Sequence, residues 1–150
     1  MKTALLKVPT KRKPASKPVK ATGKNSARTP HQLVMVVQDG LKFHELEALR
    51  AEIGLPLEQL GEKLGIARAT LHRRKAAGRL APDESDKVIR FARLLRTAEQ
   101  VFGGLERARQ WLSFPQYGLG GAVPLDYART EVGAREVETL LGRVEYGVYC

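Results

Sequence analysis

The sequence predicts an all-α fold on three observations. Apolar residues recur at three- and four-residue steps in each segment long enough to show a period. No segment sustains the two-residue alternation of a strand. Glycines and prolines punctuate the ends of the periodic runs, as they do at helix ends. Three regions follow from composition and pattern: a basic arm over residues 1–30, a compact helical unit over 31–80 and a second over 81–150.

Residues 1–30 hold nine Lys/Arg (Lys2, Lys7, Lys11, Arg12, Lys13, Lys17, Lys20, Lys24 and Arg28) and no Asp or Glu. The whole chain carries 26 basic and 16 acidic residues, so the remainder has 17 basic against 16 acidic. Most of the formal charge of +10 therefore belongs to the arm. With Lys, Pro, Ser, Thr and Ala and little to bury, the arm is expected to be disordered. It serves either as a solubilising leader or as a flexible source of nonspecific attraction to phosphates. Pro9, Pro14 and Pro18 argue against an amphipathic targeting helix there. No apolar run approaches the ~20 residues of a membrane span, and a cytoplasmic location is expected. A single cysteine, Cys150, excludes an intrachain disulfide and a cysteine-based metal cluster.

Helical periodicity begins at His31. "LKFHELEALRAEIG" sets Phe43, Leu46, Leu49 or Arg50, and Ile53 on one face and stops at Gly54. "PDESDKVIRFARLLRTAEQVFGG" aligns Val88, Phe91, Ala92, Leu95, Ala98 and Phe102 and closes at Gly103 and Gly104. "LERARQWLS" aligns Leu105, Ala108, Trp111 and Leu112 before Pro115, with Trp111 as a core anchor. An irregular loop, "FPQYGLGGAVPLDY", follows. Its glycines fit a tight path between short helices rather than a phosphate-binding loop: no strand precedes and no Gly-Lys-Ser/Thr follows. "TEVGA" reads as a turn in which Gly133 supplies freedom. The last helix then aligns Val137, Leu140, Leu141 and Val144.

The most informative stretch is "LEQLGEKLGIARATLHRRKAAGR". A helix opens at Pro56 and lines Leu57, Leu60 and Leu64 inward. Gly61 stands where two helices approach, Gly65 takes the turn, Ile66 plugs it and Leu71 faces inward from a second helix. This is the spacing of a helix-turn-helix. Between Ala67 and Arg79 lie five basic residues and no acid. Arg68, Thr70, His72, Arg73, Arg74 and Lys75 are the candidate DNA-binding residues, offering donors for base edges and cations for phosphates. The stem of Arg74 is expected to cover the core while its head reaches out. Ala67 stands where a Ser or Thr cap is usual. One such module binds DNA weakly, so a homodimer is expected, with the helices beyond Pro82 as candidates for the contact, its face left open by the sequence.

No catalytic constellation is present. His31, His44 and His72 fall in unrelated segments without metal-ligand spacing. Acidic residues are expected on solvated helical faces. No cofactor motif is found, and Cys150 in the last position is not a trained nucleophile.

From residue 98 onward the chain resembles the C-terminal toxin-binding domain of the MbcA/ParS/Xre antitoxin family. The resemblance rests on Val101-Phe102-Gly103, Ala108-x-x-Trp111-Leu112, Pro115, Leu119-Gly120-Gly121, Pro124-Leu125, Thr130-x-x-Gly133-Ala134, Val137 and Leu141-Gly142-Arg143. With the helix-turn-helix it covers roughly residues 42–150. It implies an antitoxin that binds a RES-domain toxin, one that consumes NAD or ADP-ribosylates a target, and represses the shared operon through operator DNA. Arg143, Tyr146, Gly147, Val148, Tyr149 and Cys150 are the implied toxin-binding residues, the tail lying in the toxin's active site.

The stretch "VEYGVYC" carries its own physical reading. Gly147 is expected to stop the helix, with Val148, Tyr149 and Cys150 projecting beyond it, either to cap the chain's own core or to plug a partner's pocket. Two other functions compete: a free-standing helix-turn-helix regulator with no toxin partner, and a nonspecific nucleoid protein driven by the basic arm.

Overall fold

The structure, a computed structural model, describes residues 28–147. Residues 1–27 and Val148, Tyr149 and Cys150 lie outside the described residues, and with them the expectations for most of the arm and for the tail. The described part is helical throughout: α1 (Pro30–Asp39), α2 (Phe43–Ile53), α3 (Leu57–Leu64), α4 (Arg68–Ala77), α5 (Pro82–Phe102), α6 (Leu105–Ser113), α7 (Pro124–Tyr127) and α8 (Glu131–Glu145). A single 3₁₀ turn, Tyr117–Leu119, lies between α6 and α7.

The long helix α5 is the shared wall. It packs against α1, α2 and α3 on one side and against α6 and α8 on the other. One core runs along it, from Phe43, Leu46 and Leu60 past Phe91, Leu94 and Leu95 to Leu112, Val137 and Leu141. Leu94 is fully buried although the sequence pattern passes over it, whereas Ala92 and Phe102 are only half-buried. Trp111 is half-buried and tilts against Phe102, ring centroids 5.6 Å apart. Leu49 takes the inward position and Arg50 faces solvent.

Helix α1 begins at Pro30, one residue before the helical pattern of the sequence. Thr29 caps α1 with a reciprocal pair: its Oγ1 accepts from the Gln32 amide at 3.3 Å, and Gln32 Oε1 accepts from the Thr29 amide at 2.9 Å. Arg28 reaches Glu45 at 3.5 Å. Although α1 is rich in valine, it fully buries no residue, and Val34 and Met35 remain exposed.

Side chains from other elements satisfy helix ends here. Arg79 Nη1 donates to the carbonyls of Asp39 and Gly40 at the end of α1, at 3.1 and 2.9 Å. Arg109 donates through Nε to the Glu52 carbonyl and through Nη2 to the Ala51 carbonyl at 3.0 Å, closing α2 from α6. Buried Ser85 accepts the Leu41 amide at 2.8 Å and donates to the Ala81 carbonyl at 2.7 Å. Together these bonds fasten the α1–α2 link to the start of α5.

Two sequence expectations change in the last third. Gly133 lies inside α8, not in a turn before it, and Thr130 is the cap, its Oγ1 accepting the Gly133 amide at 3.0 Å. Gly133 is required by close approach: a Cβ there would stand 1.7 Å from the Tyr127 carbonyl oxygen. Val144 is half-buried rather than part of the core, because the wall α8 packs on has ended by its last turn.

Gly133→Ala is therefore expected to destabilise the protein by about 1–3 kcal/mol through forced backbone displacement. Gly142→Ala, in the same helix with nothing within 4 Å of its Cβ position, is expected to stabilise it by about 0.5–1 kcal/mol. Thermal melts of the two variants check both signs.

Candidate nucleic-acid and partner interface

The helix-turn-helix forms as its spacing predicts. Pro56 is the residue before α3 rather than its first turn, a shift of one position. Gly65 takes φ +72°, the left-handed conformation that lets α3 stop and the chain reverse within three residues. Its amide bonds the Glu62 carbonyl at 3.0 Å, and the Ile66 amide bonds the Gly61 carbonyl at 2.8 Å. Gly61 is buried, its Cβ position 3.2 Å from Leu71 Cδ2, so α3 and α4 touch where the sequence requires a small residue. Ile66 and Leu71 are buried beneath the turn.

The six candidate DNA-binding residues divide on α4. Arg68, His72, Arg73 and Lys75 are exposed, and Thr70 is half-buried. At about 100° per residue, Arg73 points almost directly away from buried Leu71. None of Arg68, Arg73 and Lys75 has an ion pair among the described residues, so their charges are open to a partner. Ala67 supplies no side-chain cap, and the first turn of α4 holds no acid.

Arg74 is turned the other way. Its Nε donates to both oxygens of Glu84, at 2.9 and 3.2 Å. Glu84 is buried, against the expectation of solvated acids, and also accepts the Ala81 amide at 2.8 Å. It thus completes one half of a capping box at the start of α5 while holding α4 in place. A capping carboxylate three residues after Ala81 is readable in "APDE"; its second duty toward Arg74 is not, because the partner lies on another helix.

The start of α8 is locked to α5. Arg90, 8 % exposed, donates to Glu131 at 2.9 Å, to Asp86 at 2.8 Å and to the Arg129 carbonyl at 3.2 Å. Arg93 bonds Glu138 at 2.6 Å. Desolvation alone would raise the Glu131 carboxyl, but hydrogen bonds from Arg90 and Arg135 and the charges of Arg90 and Arg93 hold it below its usual range.

The free face of α8 carries the described members of the second candidate set. Arg143 and Tyr146 are exposed, and Gly147 adopts φ +69° just after the helix ends at Glu145. Sequence reasoning missed a neighbour, Tyr117, exposed by 90 %. Tyr117 lies beside α8, because the adjacent Gly118 abuts Leu140, leaving 2.6 Å between its Cβ position and Leu140 Cδ1. Leu140 is one helical turn from Arg143 and Val144. The Gly-rich loop that carries Tyr117 is tied down by Gln116, whose Nε2 donates to the Trp111 and Phe114 carbonyls. An aromatic in an irregular loop gives no periodic signal, so its neighbours cannot be read locally.

No three His, Cys, Asp or Glu side chains among the described residues are grouped to hold a metal ion. None of the described helices is long and apolar enough to cross a membrane.

Comparison with known proteins matches both halves. Residues 32–93 fit the antitoxin Xre-like helix-turn-helix domain, and residues 97–147 fit the antitoxin Xre/MbcA/ParS C-terminal toxin-binding domain. The changeover falls within α5. An antitoxin Xre of Yersinia enterocolitica is 34 % identical over 119 residues, 78 % of this chain and 80 % of that protein. Antitoxins Xre of Photorhabdus laumondii and Pseudomonas putida are 39 % and 37 % identical over 72 and 68 residues. These stretches span 47 % and 45 % of this chain and 49 % and 43 % of theirs.

Removing the buried carboxylate with Glu84→Ala strips a half-buried guanidinium of its partner. The expected cost is about 2–4 kcal/mol, at or below the range for breaking a buried pair because Arg74 is partly solvated. Arg74→Met combined with Glu84→Met is expected to recover most of it, which denaturant unfolding of the single and double variants measures.

Proposed function

The chain belongs to the Xre/MbcA/ParS antitoxin family, and from that premise we propose that it neutralises a RES-domain toxin by direct binding and represses its own operon. In this reading the tail from Arg143 and Tyr146 through Gly147, Val148, Tyr149 and Cys150 enters the toxin's active site, where NAD is consumed or ADP-ribose transferred. Arg143, Tyr146 and the neighbouring Tyr117 form the rim that seats it. The chain acts by binding, without a cofactor and without chemistry of its own, in the cytoplasm where its toxin and operator are met.

The observation that carries the DNA half is the set of exposed cations on α4, unpaired among the described residues: Arg68, Arg73 and Lys75. His72 and Thr70 add hydrogen-bonding groups between them. Arg74 is placed in the framework, holding the recognition helix through Glu84 rather than reading bases. A homodimer completes the proposal, since two recognition helices about 34 Å apart read an operator far more tightly than one. The helices beyond Pro82 are candidates for the dimer contact; exposed Val34 and Met35 on α1 offer a second apolar surface for it.

Two variants separate the two activities. Arg68→Ala with Arg73→Ala is expected to weaken binding to the DNA upstream of the reading frame at least tenfold while toxin inhibition persists. Unchanged affinity in a mobility-shift titration refutes this choice of residues. Deleting residues 147–150 is expected to leave the fold and DNA binding intact and to abolish rescue of cells expressing the toxin. Full rescue by the shortened protein removes the active-site plug from the reading.

A further inference from the structure

We infer that Arg129, which belongs to the toxin-binding half of the chain, is an additional contact to operator DNA, a clamp on a backbone phosphate beside the recognition helix. The inference rests on the DNA-binding reading above and extends it to a residue outside the helix-turn-helix.

Arg129 lies in the link between α7 and α8, far from α4 in sequence. In the fold its guanidinium lies over the α3–α4 turn: Nη2 is 3.2 Å from where a side chain on Gly65 would begin. Gly65 has none, so the guanidinium occupies that space and remains exposed. Three residues further on, Arg68 opens α4 with its own exposed cation. The two arginines therefore flank the entry to the recognition helix.

The main chain of Arg129 is also held in place, and its side chain is left unpaired among the described residues. Its carbonyl accepts from Arg90 Nη1 at 3.2 Å, and Arg90 is itself buried and pinned by Asp86 and Glu131. The acids nearest in sequence are engaged by other cations. Asp126 is bonded to Lys63 at 2.6 Å, and Glu131 to Arg90 at 2.9 Å and Arg135 at 3.4 Å. Arg129 makes no side-chain hydrogen bond or ion pair among the described residues. An anchored, planar, five-donor cation without an acid partner suits a phosphodiester oxygen pair. A phosphate contact of this kind fixes the protein's position on the duplex and carries no sequence information.

A purely structural role would use the same cation differently. Gly65 ends α3, and a guanidinium there complements the helix dipole. The two roles differ in their salt dependence. Each neutralised phosphate contributes about 0.9 to the slope of log affinity against log salt concentration, whereas a dipole contact contributes to folding stability alone.

The experiment compares wild type, Arg129→Gln, Arg129→Lys and the Arg68→Ala/Arg73→Ala pair, all as the full chain. The probe is a labelled duplex of the region upstream of the chain's own reading frame, titrated between about 50 and 200 mM KCl, the range over which such contacts change affinity most visibly. Arg129→Gln is expected to lower the slope by about 0.9 per protomer, about an eightfold loss near 0.1 M salt for each contact. Arg129→Lys is expected to keep most of the slope, and melting temperatures of both to stay near wild type. An unchanged slope in Arg129→Gln overturns the inference, with or without a lowered melting temperature. If the Arg68/Arg73 variant loses binding while Arg129→Gln does not, this inference alone fails. If wild type leaves the duplex unbound, the operator reading fails and Arg129 with it.

Discussion

The presentation of the recognition helix depends on one buried carboxylate. Glu84 accepts from Arg74 on α4 and from the Ala81 amide at the start of α5, so a single group fixes the angle between two helices. A buried charge is tolerated only when paired and hydrogen-bonded, and here each bond comes from a different element. The arrangement is self-enforcing: α4 cannot swing outward without leaving Glu84 unsatisfied. The same helix carries Arg90 about two turns further on, which fixes α8 in the same manner. The helix-turn-helix and the toxin-binding domain are therefore mounted on one rod about 30 Å long.

Charge in the folded part is sorted rather than neutral. Arg90, Arg93 and Arg96 meet carboxylates on other helices and stitch them together, while Arg109 and Arg135 pair within their own helices. Arg74 and Arg79 are also used internally, one on Glu84 and one on the end of α1. Among the described residues, those without an ion pair on the helix-turn-helix side include Arg68, Arg73, Lys75 and Arg129, with Lys42 and Arg50. A near-zero balance of 17 basic and 16 acidic residues therefore conceals a surface that is locally cationic where α4 begins. Its field acts on phosphates within roughly 8–10 Å at physiological salt, which is the range of direct contact and little more.

How much of this was legible follows from the range of each signal. Helices and the helix-turn-helix were readable because Leu60, Leu64, Ile66 and Leu71 speak through spacing within one segment. The outer face of α4 was readable for the same reason. The inward turn of Arg74 was not, because its partner comes from the next helix, and a run of five basic residues looks uniform until tertiary pairing divides it. Gly133 was singled out correctly, yet its cause is the Tyr127 carbonyl rather than backbone freedom. Val144 followed the α8 period onto a stretch where the core wall had stopped. The family resemblance supplied the toxin-binding assignment that no local pattern contains; it was silent on Tyr117 and Arg129, whose positions depend on how a loop and a link lie over neighbouring elements.

The two surfaces also set how binding at one is felt at the other. Coupling requires a ligand that distinguishes two arrangements of the elements joining the sites. The described end of the proposed toxin surface, Arg143 to Gly147, lies about 20 Å along α8 from Glu131, at helical rise. A partner held there gains nothing from moving the α7–α8 link, so DNA affinity stays unchanged and both ligands are carried at once. A partner that reaches the first turn of α8 meets the Arg90–Glu131 bond, and with it the main chain that carries Arg129. Displacing that link removes a cation from the edge of the recognition helix. By reciprocity, DNA would then weaken the partner by the same factor. Independence or antagonism is thus decided by how far toward Glu131 the partner extends, not by the rigidity of α5.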